Sequence, residues 1–388
     1  MIGELKDYAG REQAYVKHFL LSEYLESWAH KVSSSWNDVA YVDGFSGPWQ
    51  ASGEQFHDTS FGIALSALTR AKASWRNLGR TVRMSAYLVE KDPEAYGKLQ
   101  AAKALFPDVE IKTYPGSFID QASTIRGDIP PQAFAFLFID PKGWAIDMKL
   151  LAPLLKRPNS EVVFNFMFDF INRAASIQSP GIGASLDSLF DGTAWRDRLT
   201  GTTVPGANEA EFRKNMLVDS FASALGRLGQ YPYVAETTVL RPLKDRALYC
   251  LVYGTRKPQG LEGFRAAQIK ALRKQDHARG LAKMSRLSET NEQTEMFSSF
   301  SEMMQDPSIA FLAGEERHAR DLVRELTPQA PESMTWGDIW PKVLQRRVVT
   351  KTQVKKIARD LRTSGEIAFL GWAPKQISPE DQNLVCRL

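Results

Sequence analysis

The chain has 388 residues, 43% hydrophobic and 24% charged, with only two cysteines, Cys250 and Cys386. That is ordinary globular composition, and two cysteines exclude a disulfide framework or a cysteine-built metal site. The net charge of +4 is unevenly placed: residues 241–290 carry +8 and 341–388 carry +6, with −7 over 291–340 between them, a pattern suggesting local contacts with anions.

The N-terminus lacks a basic region followed by an apolar core, and no run approaches ~18 uninterrupted apolar residues. The expectation is a cytoplasmic chain that makes no membrane contact.

Residues 14–31 read as an amphipathic helix, with Leu21, Tyr24, Leu25 and Trp28 on one stripe. Strands and helices then alternate. A strand over 38–43 ends at Asp43, and a helix opens near Ser60, read as its N-cap. A strand over 82–89 ends at Glu90, and Pro93 opens a helix to about 104. A strand over 109–114 precedes Ser117, which caps a short helix. The run 133–139 is apolar on both faces, as a central parallel strand is, and ends at Asp140. A helix over 147–156 and a strand over 161–167 follow. Residues 170–230 read as helical or irregular, and 231–240 with 247–255 as an antiparallel hairpin. This order predicts an α/β, Rossmann-like, doubly wound sheet with an antiparallel edge hairpin, the pattern of class I methyltransferases.

The domain over residues 1–287 ends in a basic helical stretch, 261–287. Residues 288–333 read as an acidic linker with one helix near 315–326. Residues 334–388 read as a winged helix-turn-helix module: a helix over 336–344, a capping box at Thr350 and Gln353 opening a second helix, then a short strand over 367–370.

Three carboxylates stand at successive strand ends: Asp43, Glu90 and Asp140. In a parallel sheet they share one edge, where ligands bind. Glu90 suits the two hydroxyls of a ribose, or is a solvated acid beside Lys91. Gly44 and Gly47 let a backbone approach a ligand closely. Neither G-x-G-x-x-G nor G-x-x-x-x-G-K-[ST] occurs, which disfavours a classical dehydrogenase or a P-loop nucleotidase. A nucleoside ligand without a pyrophosphate, such as S-adenosylmethionine, fits better. The loop Asp140-Pro141-Lys142-Gly143 can orient an acceptor amine, a positioning task. Trp144 either stacks on a base or packs; Asn165 either touches substrate or caps the helix carrying Asp169 and Arg173. The five histidines lack metal spacing, and no metal is expected. Lys351, Lys355, Arg359 and Arg362 share one face of the last helix and suit phosphate contacts, or form a solvated face.

The segment Asp43-Gly-Phe-Ser-Gly-Pro48, together with Lys17, Ser60-Phe-Gly62, Val89-Glu-Lys-Asp92, Phe138-Ile-Asp-Pro-Lys-Gly143 and Val163-Phe-Asn-Phe166, resembles the three-Cys-motif partner proteins over residues 14–275. Those proteins look like class I S-adenosylmethionine-dependent methyltransferases encoded beside a radical-SAM-like protein with a three-cysteine motif. The resemblance implies a donor site at Asp43, Gly44, Gly47 and Glu90, and a reaction-centre loop at Asp140–Gly143; Phe45, Ser117 and Phe118 are further candidates for donor contact. Trp49 replaces the family's usual glycine and would narrow or cover the donor pocket. The expected function is methyl transfer to nucleic acid; the alternative is a catalytically inactive nucleic-acid-docking partner.

Overall fold

Helix α1 (Glu12–Ser33) buries Leu21, Tyr24, Leu25 and Trp28, the stripe its periodicity predicts. The computed structural model describes residues 2–8, 10–47, 56–200, 209–290 and 307–388, with only the helical backbone for 284–290. The chain divides into two compact units, Met1–Arg256 and Lys257–Leu388.

In the first unit the elements after α1 are β1 (Asp38–Asp43), α2 (Ser60–Asn77), β2 (Arg83–Glu90), α3 (Pro93–Ala102), β3 (Glu110–Pro115), α4 (Phe118–Asp128), β4 (Phe134–Ile139), α5 (Met148–Leu155), β5 (Ser160–Phe166), α6 (Phe168–Ala174), α7 (Pro180–Phe190), α8 (Ala194–Thr200), α9 (Glu209–Gly229), β6 (Tyr233–Arg241) and β7 (Lys244–Thr255). The seven strands form one sheet in the order β3-β2-β1-β4-β5-β7-β6. β1 to β5 are parallel, and β7 runs antiparallel to both β5 and β6. This is a Rossmann-like α/β sheet. All six residues of β1 and all seven of β5 are buried, because helices cover both faces of a parallel sheet.

Two local details differ from the sequence reading. Thr59, not Ser60, is the N-cap of α2, its hydroxyl accepting from the Gly62 N–H at 3.1 Å. Ser60 is thereby freed for another partner. The β6–β7 strands also extend further toward each other than expected, leaving only Pro242 and Leu243 between them.

The second unit starts with α10 (Pro258–Thr290), followed by α11 (Pro307–Leu326), β8 (Met334–Thr335), α12 (Trp336–Arg346), α13 (Lys351–Thr363), β9 (Ile367–Leu370) and β10 (Leu384–Arg387). The sequence places α10 at the close of the first domain. Its Arg265 is instead buried, donating to the Leu344 and Gln345 carbonyls that end α12 at 2.7 and 3.0 Å. The expected linker helix begins by residue 307; residues 291–306 of that linker lie outside the described residues. The Thr350–Gln353 capping box forms in both directions, and the strands order as β8-β10-β9, antiparallel. No helix among the described residues is long and apolar enough to cross a membrane.

Candidate functional site

β1 lies between β2 and β4, so the chain reverses its winding direction at the β1/β4 boundary. In such sheets the crevice at the carboxyl ends opens there. A cavity of about 820 Å³ occupies this place, within the range for small-molecule sites. Every parallel strand contributes to its wall: Gly44, Phe45 and Gly47 after β1; Glu90 in β2; Ser117 and Phe118 after β3; Asp140, Pro141, Lys142 and Gly143 after β4; Asn165 in β5. These predicted site residues are thus brought together.

Glu90 is 4% exposed yet lines the cavity. Its Oε1 accepts from the Asp92 N–H at 2.7 Å, while Oε2 makes no hydrogen bond among the described residues. Asp92 caps α3 in turn, accepting from the Ala95 N–H. The carboxylate is therefore fixed on one side and available on the other.

Asp43 is placed differently. It is fully buried beneath the cavity wall and does not line it. Its Oδ2 accepts from Ser60 Oγ at 2.6 Å and Tyr41 OH at 3.1 Å, and Oδ1 from the Phe45 N–H at 3.0 Å. Asp43 thus shapes the loop that follows β1. Burial outweighs these donors and pushes its carboxyl up to about 6. The native state therefore binds this proton more tightly than the unfolded chain does. The stabilisation is complete below about pH 4 and is lost as the pH rises toward 6, on the order of 3 kcal/mol in all. Asp43→Asn has no such proton to lose. Relative to wild type, its unfolding free energy should improve by roughly 2–3 kcal/mol between pH 4 and pH 7, measured by urea titration at each pH.

Gly44 needs its missing side chain for packing rather than for a positive φ. A Cβ there would lie 2.6 Å from the Phe118 ring. Phe118 is 2% exposed and meets Phe45 edge to face at 5.9 Å, so the apolar part of the wall forms by close approach of the β1 and β3 loops. Ser117 caps α4, accepting from the Asp120 N–H at 3.3 Å. Gly143 adopts φ +128, a conformation open to glycine but not to residues with a Cβ. It lets the Asp140 loop turn while Asp140, Pro141, Lys142 and Gly143 line the cavity.

Asp140 is engaged on both oxygens. Oδ1 accepts from Asn165 Nδ2 at 2.5 Å, and Oδ2 forms a short ion pair with Lys17 Nζ. Asn165 is therefore not a helix cap: α6 has no side-chain cap. Lys17 comes from α1 and also lies 5.9 Å from the Tyr249 ring centre. The Tyr249 hydroxyl is tied to the Gln13 carbonyl of the same helix, so β7 and α1 are clamped where they meet Asp140. Lys17 enters the sequence reading only through the family resemblance, and Tyr249 not at all. Lys142 has its pKa lowered, chiefly by desolvation. His18 also lines the cavity, but it is buried against Tyr8 OH at 3.0 Å and held neutral by burial.

Trp144 packs half-buried against the core and is not part of the cavity wall. Pro48 and Trp49 lie outside the described residues. Among the described residues no group of acids, histidines and cysteines could hold a metal ion.

In the second unit, Lys351 is half-buried, 3.3 Å from Asp381 and 3.9 Å from the Trp340 ring centre. Arg362 stacks on Trp372 at 4.5 Å. Arg359 is exposed beside Asp360, and Lys355 is partly exposed. The four cations share a helix, but two are committed to aromatic rings.

No protein-family model and no curated protein matches this chain. Among solved structures it is similar to an O-methyltransferase from Bacillus cereus in complex with SAH, at 12% identity over 60% of this chain and 80% of that one, TM-score 0.30. It is also similar to a DUF574 family protein from Streptomyces avermitilis, at 11% identity over 61% and 82%, TM-score 0.30. A loganic acid methyltransferase with SAH is similar at 9% identity over 76% and 89%, TM-score 0.28. The fold rests on the strand order of the sheet.

Proposed function

We propose that the first unit binds S-adenosylmethionine and transfers its methyl group to nucleic acid. The observation that carries this reading is Glu90: a nearly buried strand-end carboxylate on the cavity wall, with one oxygen fixed by the Asp92 N–H and the other without a hydrogen bond among the described residues. Two ribose hydroxyls need such an acceptor. The strand order, with β7 antiparallel beside β5, supports the class I methyltransferase type. The Phe45–Phe118 corner offers an apolar surface for a flat base.

The donor supplies a methyl group activated on a sulfonium. The protein's own task is positioning. Asp140 is aimed by Lys17 and Asn165 to accept a hydrogen bond from the acceptor, and the Gly143 turn keeps that loop on the cavity wall. Calorimetric titration of the full chain with S-adenosylmethionine tests the reading: saturable heat is expected, and none at millimolar donor overturns it.

Nucleic acid as the acceptor is supported by the second unit. We read its order of helix, short strand, two helices and two further strands, with the sheet β8-β10-β9, as a winged helix, a module in which the helix corresponding to α13 approaches a groove. Lys355 and Arg359 are the phosphate-contact residues; Lys351 and Arg362 hold the face together through Trp340 and Trp372.

A second reading is a catalytically inactive methyltransferase-fold protein that serves as a nucleic-acid-docking partner subunit. It is favoured by the engagement of both Asp140 oxygens. The partner is then the radical-SAM-like three-Cys-motif protein that the resemblance implies, and co-purification of the two chains tests it. Transfer of labelled methyl to DNA or RNA by the isolated chain excludes this reading.

A further inference from the structure

Beyond the donor cavity, one cluster in the first unit is unused by the chemistry above. Asp169, on α6, is 1% exposed, and three guanidinium groups converge on it. Arg241 donates to Oδ2 at 2.6 Å, Arg173 lies 3.2 Å from the same oxygen, and Arg246 lies 3.1 Å from Oδ1. The Arg246 approach is close without the alignment of a hydrogen bond. Among the described contacts, one carboxylate meets three guanidinium groups. The three side chains remain 37% to 58% exposed, so each still faces solvent while one guanidinium nitrogen meets Asp169. Among the described residues, a fourth guanidinium, Arg213 on α9, bonds only neutral groups: Asn172 and Ser176.

The cluster adjoins the acceptor side of the cavity. Phe170, the residue after Asp169, lines that cavity and is 42% exposed. The Arg173 guanidinium lies 4.9 Å from its ring centre. Leu248, two residues after Arg246, lines the same cavity at an irregularity in the β6–β7 pairing. Extra residues at such bulges re-aim side chains beside active sites. An exposed aromatic ring next to clustered, partly exposed guanidinium groups matches one chemical class: a base with its phosphate. Every base has a face that stacks on an aromatic ring, and guanidinium forks suit phosphate oxygens.

We propose that this rim is the acceptor-nucleotide subsite, with Phe170 stacking a base and Arg173, Arg241 and Arg246, anchored by Asp169, binding the adjoining phosphate. The proposal rests on the reading that the acceptor is nucleic acid. It makes Asp169 a positioning residue and Phe170 a substrate-binding residue. It also assigns nucleic-acid contact to the first unit independently of α13.

The test uses the full chain carrying Lys355→Gln and Arg359→Gln, which removes the α13 contribution. A fluorescein-labelled single-stranded 20-mer is titrated by anisotropy over a salt series, and S-adenosylmethionine binding is followed by calorimetry on each variant. Phe170→Ala should weaken the oligonucleotide about 10-fold without changing the salt slope. Arg173→Gln with Arg246→Gln should weaken it and lower the slope of log affinity against log salt by about 0.7 for each phosphate that is no longer neutralised. Arg241 is retained so that Asp169 keeps its bond and the unit folds. Unchanged affinity and slope in both variants, with donor heat intact, overturn the subsite. So does tighter binding of an acidic peptide than of the oligonucleotide at the same rim. Absence of donor heat in the wild type overturns methyl transfer while leaving the oligonucleotide result to stand or fall by itself.

Discussion

Glu90→Ala should weaken S-adenosylmethionine binding about 100-fold, read as the shift in calorimetric dissociation constant. The reason is that a charged acceptor facing two hydroxyls supplies roughly 1.5–3 kcal/mol per hydrogen bond, and a truncated side chain supplies none. The cavity does not refill the place, since Glu90 is nearly buried and its Oε2 has no other partner among the described residues. The same substitution strips the Asp92 N–H of its acceptor, so a loss of about 1 kcal/mol in unfolding free energy should accompany it. Glu90→Gln keeps one acceptor oxygen and the side-chain volume, and should fall between the two. Equal donor affinity in wild type and Glu90→Ala would show that the ribose lies elsewhere.

Asp140→Asn should lower turnover on an oligonucleotide acceptor about 100-fold or more, with donor affinity changed less than about 3-fold. Misplacing an acceptor by an ångström already costs on this scale. The charge removed is the one that Lys17 neutralises from α1, and the carboxamide cannot accept from both Lys17 and Asn165 as the carboxylate does. Lys17→Met tests the same unit from the other side. It leaves Asp140 oriented by Asn165 alone, and turnover should fall by a smaller factor with the donor constant retained. Single-turnover rates and donor titrations on both variants separate positioning from binding. Full turnover in Asp140→Asn would remove the loop from the reaction and return it to a structural role.

These outcomes also divide what was legible in the sequence from what was not. The strands were legible because their apolar runs are local. Phe134–Ile139 is apolar throughout, and a short apolar run bounded by turn residues such as Asp-Pro-Lys-Gly reads as a buried strand. The strand-end acids followed, since parallel strands bring their carboxyl ends to one edge whatever the loops do. The capping box at Thr350 and Gln353 was legible for the same reason: its bonds span three residues.

Tertiary structure decided which of those acids face a ligand. Asp43 and Glu90 end adjacent strands and look alike in sequence, yet Asp43 is taken by Ser60, Tyr41 and Phe45, while Glu90 keeps an oxygen for the cavity. That choice depended on Thr59 capping α2 and releasing Ser60, a shift of one residue that propensity does not resolve. Lys17 meets Asp140 across 123 positions of chain, Tyr249 closes the clamp from the antiparallel edge, and Arg241 and Arg246 reach Asp169 from the same hairpin. Such pairs carry no local periodicity. They exist only once the sheet order has brought the β6–β7 hairpin beside β5, so the order of elements was written along the chain while the chemistry of the site came from their packing.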